Sequence, residues 1–267
     1  MKKKRSILLP VIAVAAAAVF FVSGWQVFKY VRGSAASNGS MDALREYVEE
    51  VSAEEASPAE EVSSDPVHGL SYRGAHAPVR VDFDVLQRIN PDIAAWLYCK
   101  GTNFNHPVMY SGDNDFYLDH ATDRSYNSAG SLFIDFTCSR DFSDELTVIY
   151  GHNMLNKSMF GKLPNFADLD YYEKASEMYL LTPDHDYQVE LLARGIVSEA
   201  SGLYALTGME LDPEQLAEVF PEGTLFRADT EFRAGDHYVL LSTCSYEYNG
   251  ARFIVLGRLI DLNGEAQ

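Results

Sequence analysis

Cys244 closes the apolar run Tyr238-Val-Leu-Leu-Ser-Thr-Cys244, and Arg252 opens the next, Arg252-Phe-Ile-Val-Leu-Gly257. At strand period Leu240, Ser242 and Cys244 share one face. If the two runs are hairpin neighbours, a thiol and a guanidinium meet at one end of a sheet. The linking residues 245–251 decide whether they do. A tight two-residue turn at Asn249-Gly250 would pair Cys244 with Val255 and send Cys244 and Arg252 to opposite faces. A shared site needs a wider loop. A third reactive side chain, His152, follows the strand-like Thr147-Val-Ile-Tyr150 directly behind Gly151, a placement usually open to solvent.

These residue types fit one chemistry. A thiolate is a strong nucleophile, and a nearby cation favours it. Attack on an amide builds a tetrahedral oxyanion that positioned donors stabilise. Arg stays charged and offers a fork of donors. The leaving amine needs a proton, which an imidazole can supply near neutral pH. The resulting thioester can then pass to another amine or to water. Residue types and periodicity alone leave equally open a core Cys, a surface His and a structural Arg. Of the seven histidines, His120 is the other candidate.

The elements that must position this trio read as mostly β. Ile93–Cys99, Ser131–Phe136, Thr147–Tyr150, Met178–Leu181, Tyr187–Glu199, His237–Cys244 and Arg252–Ile260 are apolar or alternating runs divided by Gly, Asn, Asp and Pro. Asp82–Ile89 has Phe83, Leu86 and Ile89 at helical spacing before Asn90-Pro91. Helical inserts are expected around 160–175 and over Pro213–Phe220, where Asp212 is a natural N-cap. The sum is a β-barrel or sandwich with a few helices.

Residues 2–5 are Lys-Lys-Lys-Arg, and an apolar run from Ile7 to Val22 follows, extended by Trp25, Val27 and Phe28. That reads as a single-pass anchor with its N-terminus in the cytoplasm and the remainder outside. A cleaved signal peptide, with Gly33-Ser34-Ala35-Ala36-Ser37 as the small-residue site, is the competing reading. The expected organisation is a tip and anchor over 1–32, an acidic stalk over 33–78, a catalytic domain over 79–262 and a short tail over 263–267. Within the stalk, Met41, Leu44, Tyr47/Val48 and Val51 recur at helical spacing. The net charge of −18 argues against nucleic acid as a partner. Three cysteines leave at least one unpaired within the chain. No zinc spacing occurs, and Asp113-Asn114-Asp115 lacks the spaced ligands of a calcium loop, so neither metal nor cofactor is expected.

At these residues the chain resembles a class B sortase. Leu241-Ser-Thr-Cys244 is similar to the family's Cys motif. Cys244-Ser-Tyr-Glu-Tyr-Asn-Gly-Ala-Arg252 resembles its link from Cys to Arg. Thr147-Val-Ile-Tyr-Gly-His-Asn-Met154, with Met159-Phe-Gly161 after it, resembles the stretch around the catalytic His. Asn90-Pro-Asp-Ile-Ala-Ala-Trp-Leu-Tyr98, Gly101-Thr-Asn, Asp113-Asn-Asp-Phe-Tyr-Leu-Asp-His120 and Ser128-Ala-Gly-Ser-Leu-Phe-Ile-Asp135 continue the likeness in the family's order. The resemblance implies a closed barrel of about eight strands with N-terminal helices and a helix in the connection before the Cys-bearing strand. It implies Cys244 as nucleophile, His152 as proton donor and Arg252 as oxyanion or substrate clamp. Ser242, Thr243 and Glu247 are expected to border the substrate. Glu247 is expected either to restrain Arg252 or to be solvated, and His120 to belong to the scaffold or rim. A disulfide between Cys99 and Cys138 is an option, not part of the pattern.

The implied reaction cleaves a C-terminal sorting motif of a secreted protein after Thr. It then joins that Thr to an amine of the cell-wall precursor. A pilin polymerase, a cysteine hydrolase and a non-catalytic anchored scaffold are the alternatives.

Overall fold

The computed structural model describes residues 8–51, 77–175 and 177–263. Most of the expected stalk, residues 52–76, lies outside them, as do the basic tip and the last four residues of the expected tail.

The chain runs α1 (Leu8–Arg45), β1 (Val48–Glu50), β2 (Val79–Val81), α2 (Phe83–Ile89), β3 (Ile93–Cys99), β4 (Asn105–Met109), β5 (Leu132–Ile134) and β6 (Leu146–Tyr150). It continues through α3 (Leu169–Lys174), β7 (Met178–Leu181), β8 (Asp186–Ser198), α4 (Pro213–Glu218), β9 (Leu225–Phe226), β10 (Tyr238–Cys244) and β11 (Ala251–Asp261). Eight strands pair in the order β11-β10-β6-β5-β4-β3-β7-β8, and β8 pairs back onto β11, which closes a barrel. Closure removes the open edges that an eight-stranded sheet would otherwise expose. The short β9 adds to β8 outside the ring.

The long apolar runs are explained by burial on two faces. Val239, Leu241, Phe253 and Val255 point into the barrel interior. Tyr238, Leu240, Ile254 and Leu256 point outward, beneath the connection from β8 to β10. Cys244 and Arg252 share the parity of this outward set, so they emerge where its cover ends.

That connection is fastened by polar contacts. Arg227 N–H and Thr230 Oγ1 both donate to the Leu192 carbonyl. Buried Glu190 takes ion pairs from Arg227 at 2.7 Å and Arg258 at 2.6 Å, and Arg258 also reaches Asp236. Within the connection, α4 begins where Asp212 accepts the Glu214 N–H, with Pro213 in the first turn.

Three expectations change. β4 lies outside the expected strands, and Pro107 sits inside it. The strand tolerates Pro107 because pairing with β5 starts only at Val108. In α2, capped by the Asp82 carboxylate, Leu86 is buried but Ile89 is half exposed, because the chain turns extended at Asn90 and carries it away from the core. The expected helix around 160–175 divides into a 3-10 turn (Leu163–Ala167) and α3, since Asp168 stops one and caps the other.

The N-terminal segment is tied to the barrel. α1 carries the apolar stretch Val11–Phe28, mean hydropathy 2.1, with none of it buried in the protein. It continues without a break to Arg45, where Met41 and Leu44 are buried and Arg45 Nε donates to the Asn105 carbonyl. β1 then pairs with β2. Part of the segment expected as stalk thus packs on the folded unit, because its few apolar residues find a surface there. Val48 takes part as a strand residue instead of continuing the helical repeat.

Candidate active site

Cys244 is the direct register partner of Arg252 across β10 and β11. The loop between them is the wide one. Ser245 N–H bonds the Ala251 carbonyl, and Ala251 N–H bonds the Tyr248 carbonyl. Gly250 has a positive φ of 77°, a conformation that suits glycine. Thiol and guanidinium therefore lie on the same face. Arg252 Nη1 donates to Cys244 Sγ at 3.0 Å, and its other arm, Nη2, donates to Glu199 Oε2 at 2.8 Å.

The parallel pairing of β6 with β10 brings in His152. It aligns Tyr150 with Ser242, so the residues just past both strand ends are neighbours. Three contacts lock this junction. Gly151 N–H donates to the Ser242 carbonyl, Thr243 Oγ1 donates to the Gly151 carbonyl at 2.6 Å, and Asn153 Nδ2 donates to the Cys244 carbonyl at 2.9 Å. A β-carbon on Gly151 would collide with Leu132 and Phe160, so only glycine lets the chain pass here.

The His152 ring is held by Nε2, 2.7 Å from the Leu118 carbonyl. A carbonyl only accepts, so this nitrogen carries the proton. In the neutral ring Nδ1 is then the one basic nitrogen. No hydrogen bond joins the ring to Cys244 among the described residues.

Cys244, His152 and Arg252 line one pocket of about 280 Å³ with Asn114, Leu118, Phe133, Tyr150, Gly151, Glu199, Tyr204, Ser242 and Thr243. Ser242 is fully buried and its hydroxyl meets Tyr204 OH at 2.8 Å. Burial pushes the Tyr204 phenol up to about 12, so it is a neutral hydrogen-bonding group there. The back wall is fixed by Asp135, whose Oδ2 accepts from Tyr150 OH at 2.9 Å and Asn114 Nδ2 at 3.1 Å.

Glu247 is exposed, takes its hydrogen bond from Ser245 Oγ and lies outside the pocket lining. The acid that meets Arg252 is Glu199 instead. It lies one residue beyond β8, and only the β8–β11 closure brings it to Arg252. Glu199, Tyr204, Asn114 and the Leu118 carbonyl were missed by sequence reasoning. The available signal was slight: Glu199 ends a long strand-like run, as Cys244 does.

His120 stacks on Phe116 with ring centroids 4.1 Å apart, and its Nδ1 is 2.8 Å from both the Phe116 carbonyl and Asp119 Oδ1. Asp113 Oδ1 accepts the N–H groups of Asp115 and Phe116 and so caps a turn. Cys99 and Cys138 are buried free thiols, so the optional disulfide is absent. Burial pushes them up to about 12 and about 11. Cys244 is the partly exposed thiol.

No family model matches the chain. Sortase B of Listeria monocytogenes is 30% identical over 188 residues, which cover 68% of this chain and 75% of the relative. Among solved structures, sortase B of Bacillus anthracis in complex with AAEK2 aligns with TM-score 0.65 at 26% identity, over 87% of this chain and 97% of that one. The sortase B–substrate complex of Staphylococcus aureus aligns with TM-score 0.61 at 26% identity, over 67% and 84%.

Proposed function

This chain belongs to the class B sortases and is a cysteine transpeptidase, and we propose that Cys244, His152 and Arg252 cleave a sorting motif of a secreted protein after Thr and pass it to an amine of the cell-wall precursor. The observation that carries this reading is the 3.0 Å contact of Arg252 Nη1 with Cys244 Sγ, in a pocket that His152 also lines.

The Cys244 thiolate attacks the carbonyl carbon of the Thr–X bond, and the C=O electron pair moves onto oxygen. Arg252 Nη1 then donates to that oxyanion. As the intermediate collapses, protonated His152 gives its Nδ1 proton to the leaving nitrogen, and the C–N bond breaks. A thioester on Sγ remains. The acceptor amine attacks it, neutral Nδ1 takes a proton from that nitrogen, and the thiolate leaves. Nε2–H stays on the Leu118 carbonyl throughout, which holds the ring in one tautomer. Tyr204 offers its hydroxyl to the peptide, oriented by buried Ser242, and Thr243 orders the floor through Gly151.

The domain faces the outside of the cell, held by α1 as a single-pass anchor with its N-terminus in the cytoplasm. The apolar window of α1 is 18 residues long. As helix it spans about 27 Å, close to the thickness of a bilayer's hydrocarbon core. The basic residues Lys2–Arg5 set the orientation. The solved Staphylococcus aureus sortase B–substrate complex supports substrate binding by a barrel of this kind.

The test is intact mass spectrometry of the full chain in detergent with a peptide library fixed at Thr, with and without an added amine. A thioester adduct that is lost in Cys244→Ala, and that amine converts to a joined peptide, is expected. Full cleavage by Cys244→Ala would overturn the proposal.

A further inference from the structure

Arg252 is gripped at both ends. One arm reaches the reactive sulfur and the other a carboxylate outside the Cys-to-Arg loop. We propose that Glu199 is the positioning residue of this site, aiming the Arg252 fork at the reacting centre; this rests on the reading of Cys244 and Arg252 given above.

The geometry supports the role from two directions. A guanidinium on a long flexible stem, held by one hydrogen bond, can still swing about its terminal torsions. A second bond, from Nη2 to Glu199 at 2.8 Å, fixes its plane. Glu199 is itself fixed. Its N–H donates to the Gly250 carbonyl at 2.8 Å, and its neighbour Ser198 pairs with Ala251. Its side chain lies over Gly250, where a β-carbon would come within 2.9 Å of Oε1. The strand end, the loop after Cys244 and the guanidinium therefore form one unit. Glu247, nearer in sequence, takes its hydrogen bond from Ser245 and lies outside the pocket lining.

The role persists through the reaction. Once Sγ carries an acyl group it is a poor acceptor, and Nη1 is free to serve the oxyanion. The Nη2–Glu199 bond does not have to break for that change. The pair is open to solvent, with Glu199 56% and Arg252 27% exposed. Such a pair contributes little to folding stability. Its value is orientation, where a small misplacement of a donor costs rate.

The experiment compares the unaltered full chain with Glu199→Ala, Glu199→Gln and Arg252→Lys, and with Glu199→Ala combined with Arg252→Lys. The probe is the Thr-fixed peptide library and then the single peptide it selects. Glu199→Ala is expected to lower kcat on the order of tenfold with little change in KM. Glu199→Gln, which keeps an acceptor oxygen, is expected to recover part of the loss. Combined with Arg252→Lys, whose ammonium has no fork to aim, Glu199→Ala is expected to add nothing. Thermal unfolding of each variant separates loss of fold from loss of aim. Unchanged kcat in Glu199→Ala, or the same additional loss on top of Arg252→Lys, overturns the inference alone. Absence of Cys244-dependent turnover in the unaltered chain overturns the reading of the site and this inference with it.

Discussion

Cys244 and Arg252 are register partners across β10 and β11, and the guanidinium completes that pairing with a hydrogen bond from Nη1 to Sγ at 3.0 Å. Eight positions apart in an antiparallel hairpin, they share a face because the seven residues between them, 245–251, form a wide loop instead of a tight two-residue turn.

Arg252→Lys tests whether the fork matters or only the charge. A lysine ammonium cannot hold Cys244 and Glu199 in one plane. The expected outcome is a fall in kcat/KM on the order of 100-fold, the scale of losing one oxyanion donor. The rate of thioester formation checks it, with thermal unfolding unchanged.

Gly151→Ala asks for space that Leu132 and Phe160 occupy. Overpacking of this kind costs roughly 1–3 kcal/mol. The same shift would move His152, so stability and activity should fall together. Denaturant unfolding and peptide cleavage measure the two.

Thiol accessibility separates Cys244 from the other cysteines. Cys99 and Cys138 are buried, and their thiols are held neutral at working pH. Native protein at pH 8 should take one iodoacetamide label, and Cys244→Ala none until denatured. Mass spectrometry gives the count; a label on native Cys244→Ala would contradict the burial of Cys99 and Cys138.

Two truncations probe the N-terminal segment. A fragment starting at residue 39 keeps Met41, Leu44 and β1, whereas one starting at 76 loses them. Each fully buried apolar side chain of this kind is worth roughly 1.5–3 kcal/mol. The shorter fragment should unfold at clearly lower temperature; equal melting would show that the docking of Met41 and Leu44 contributes nothing.

Acid should weaken the same region. His106 is buried beside Met41, its Nδ1 3.2 Å from Sδ, and burial, with a smaller effect from Arg45, depresses its pKa to about 3. Between about pH 6.5 and 3 the unfolded chain binds a proton at this position that the folded chain refuses. This contribution to stability is therefore present above pH 6.5 and is lost as pH falls, by up to about 1.4 kcal/mol per pH unit. His106→Gln should flatten that slope in unfolding measured from pH 7 to pH 4.

Much of this was legible in the chain itself. Strand-length apolar runs and their parity put Ser242 and Cys244 on one face, and Asp212 announced a helix start through its capping chemistry. The motif order around His152, Cys244 and Arg252 pointed to the family. These are local properties, set by side-chain alternation and backbone hydrogen-bonding needs within a few residues. Which strands are neighbours is not local. The parallel β6–β10 pairing that carries His152 toward Cys244, and the β8–β11 closure that carries Glu199 to Arg252, depend on how eight strands bury both faces at once. So the residue types of the chemistry could be read along the chain, while the partner of Arg252, Glu199 instead of the nearby Glu247, was decided only by the closing of the barrel.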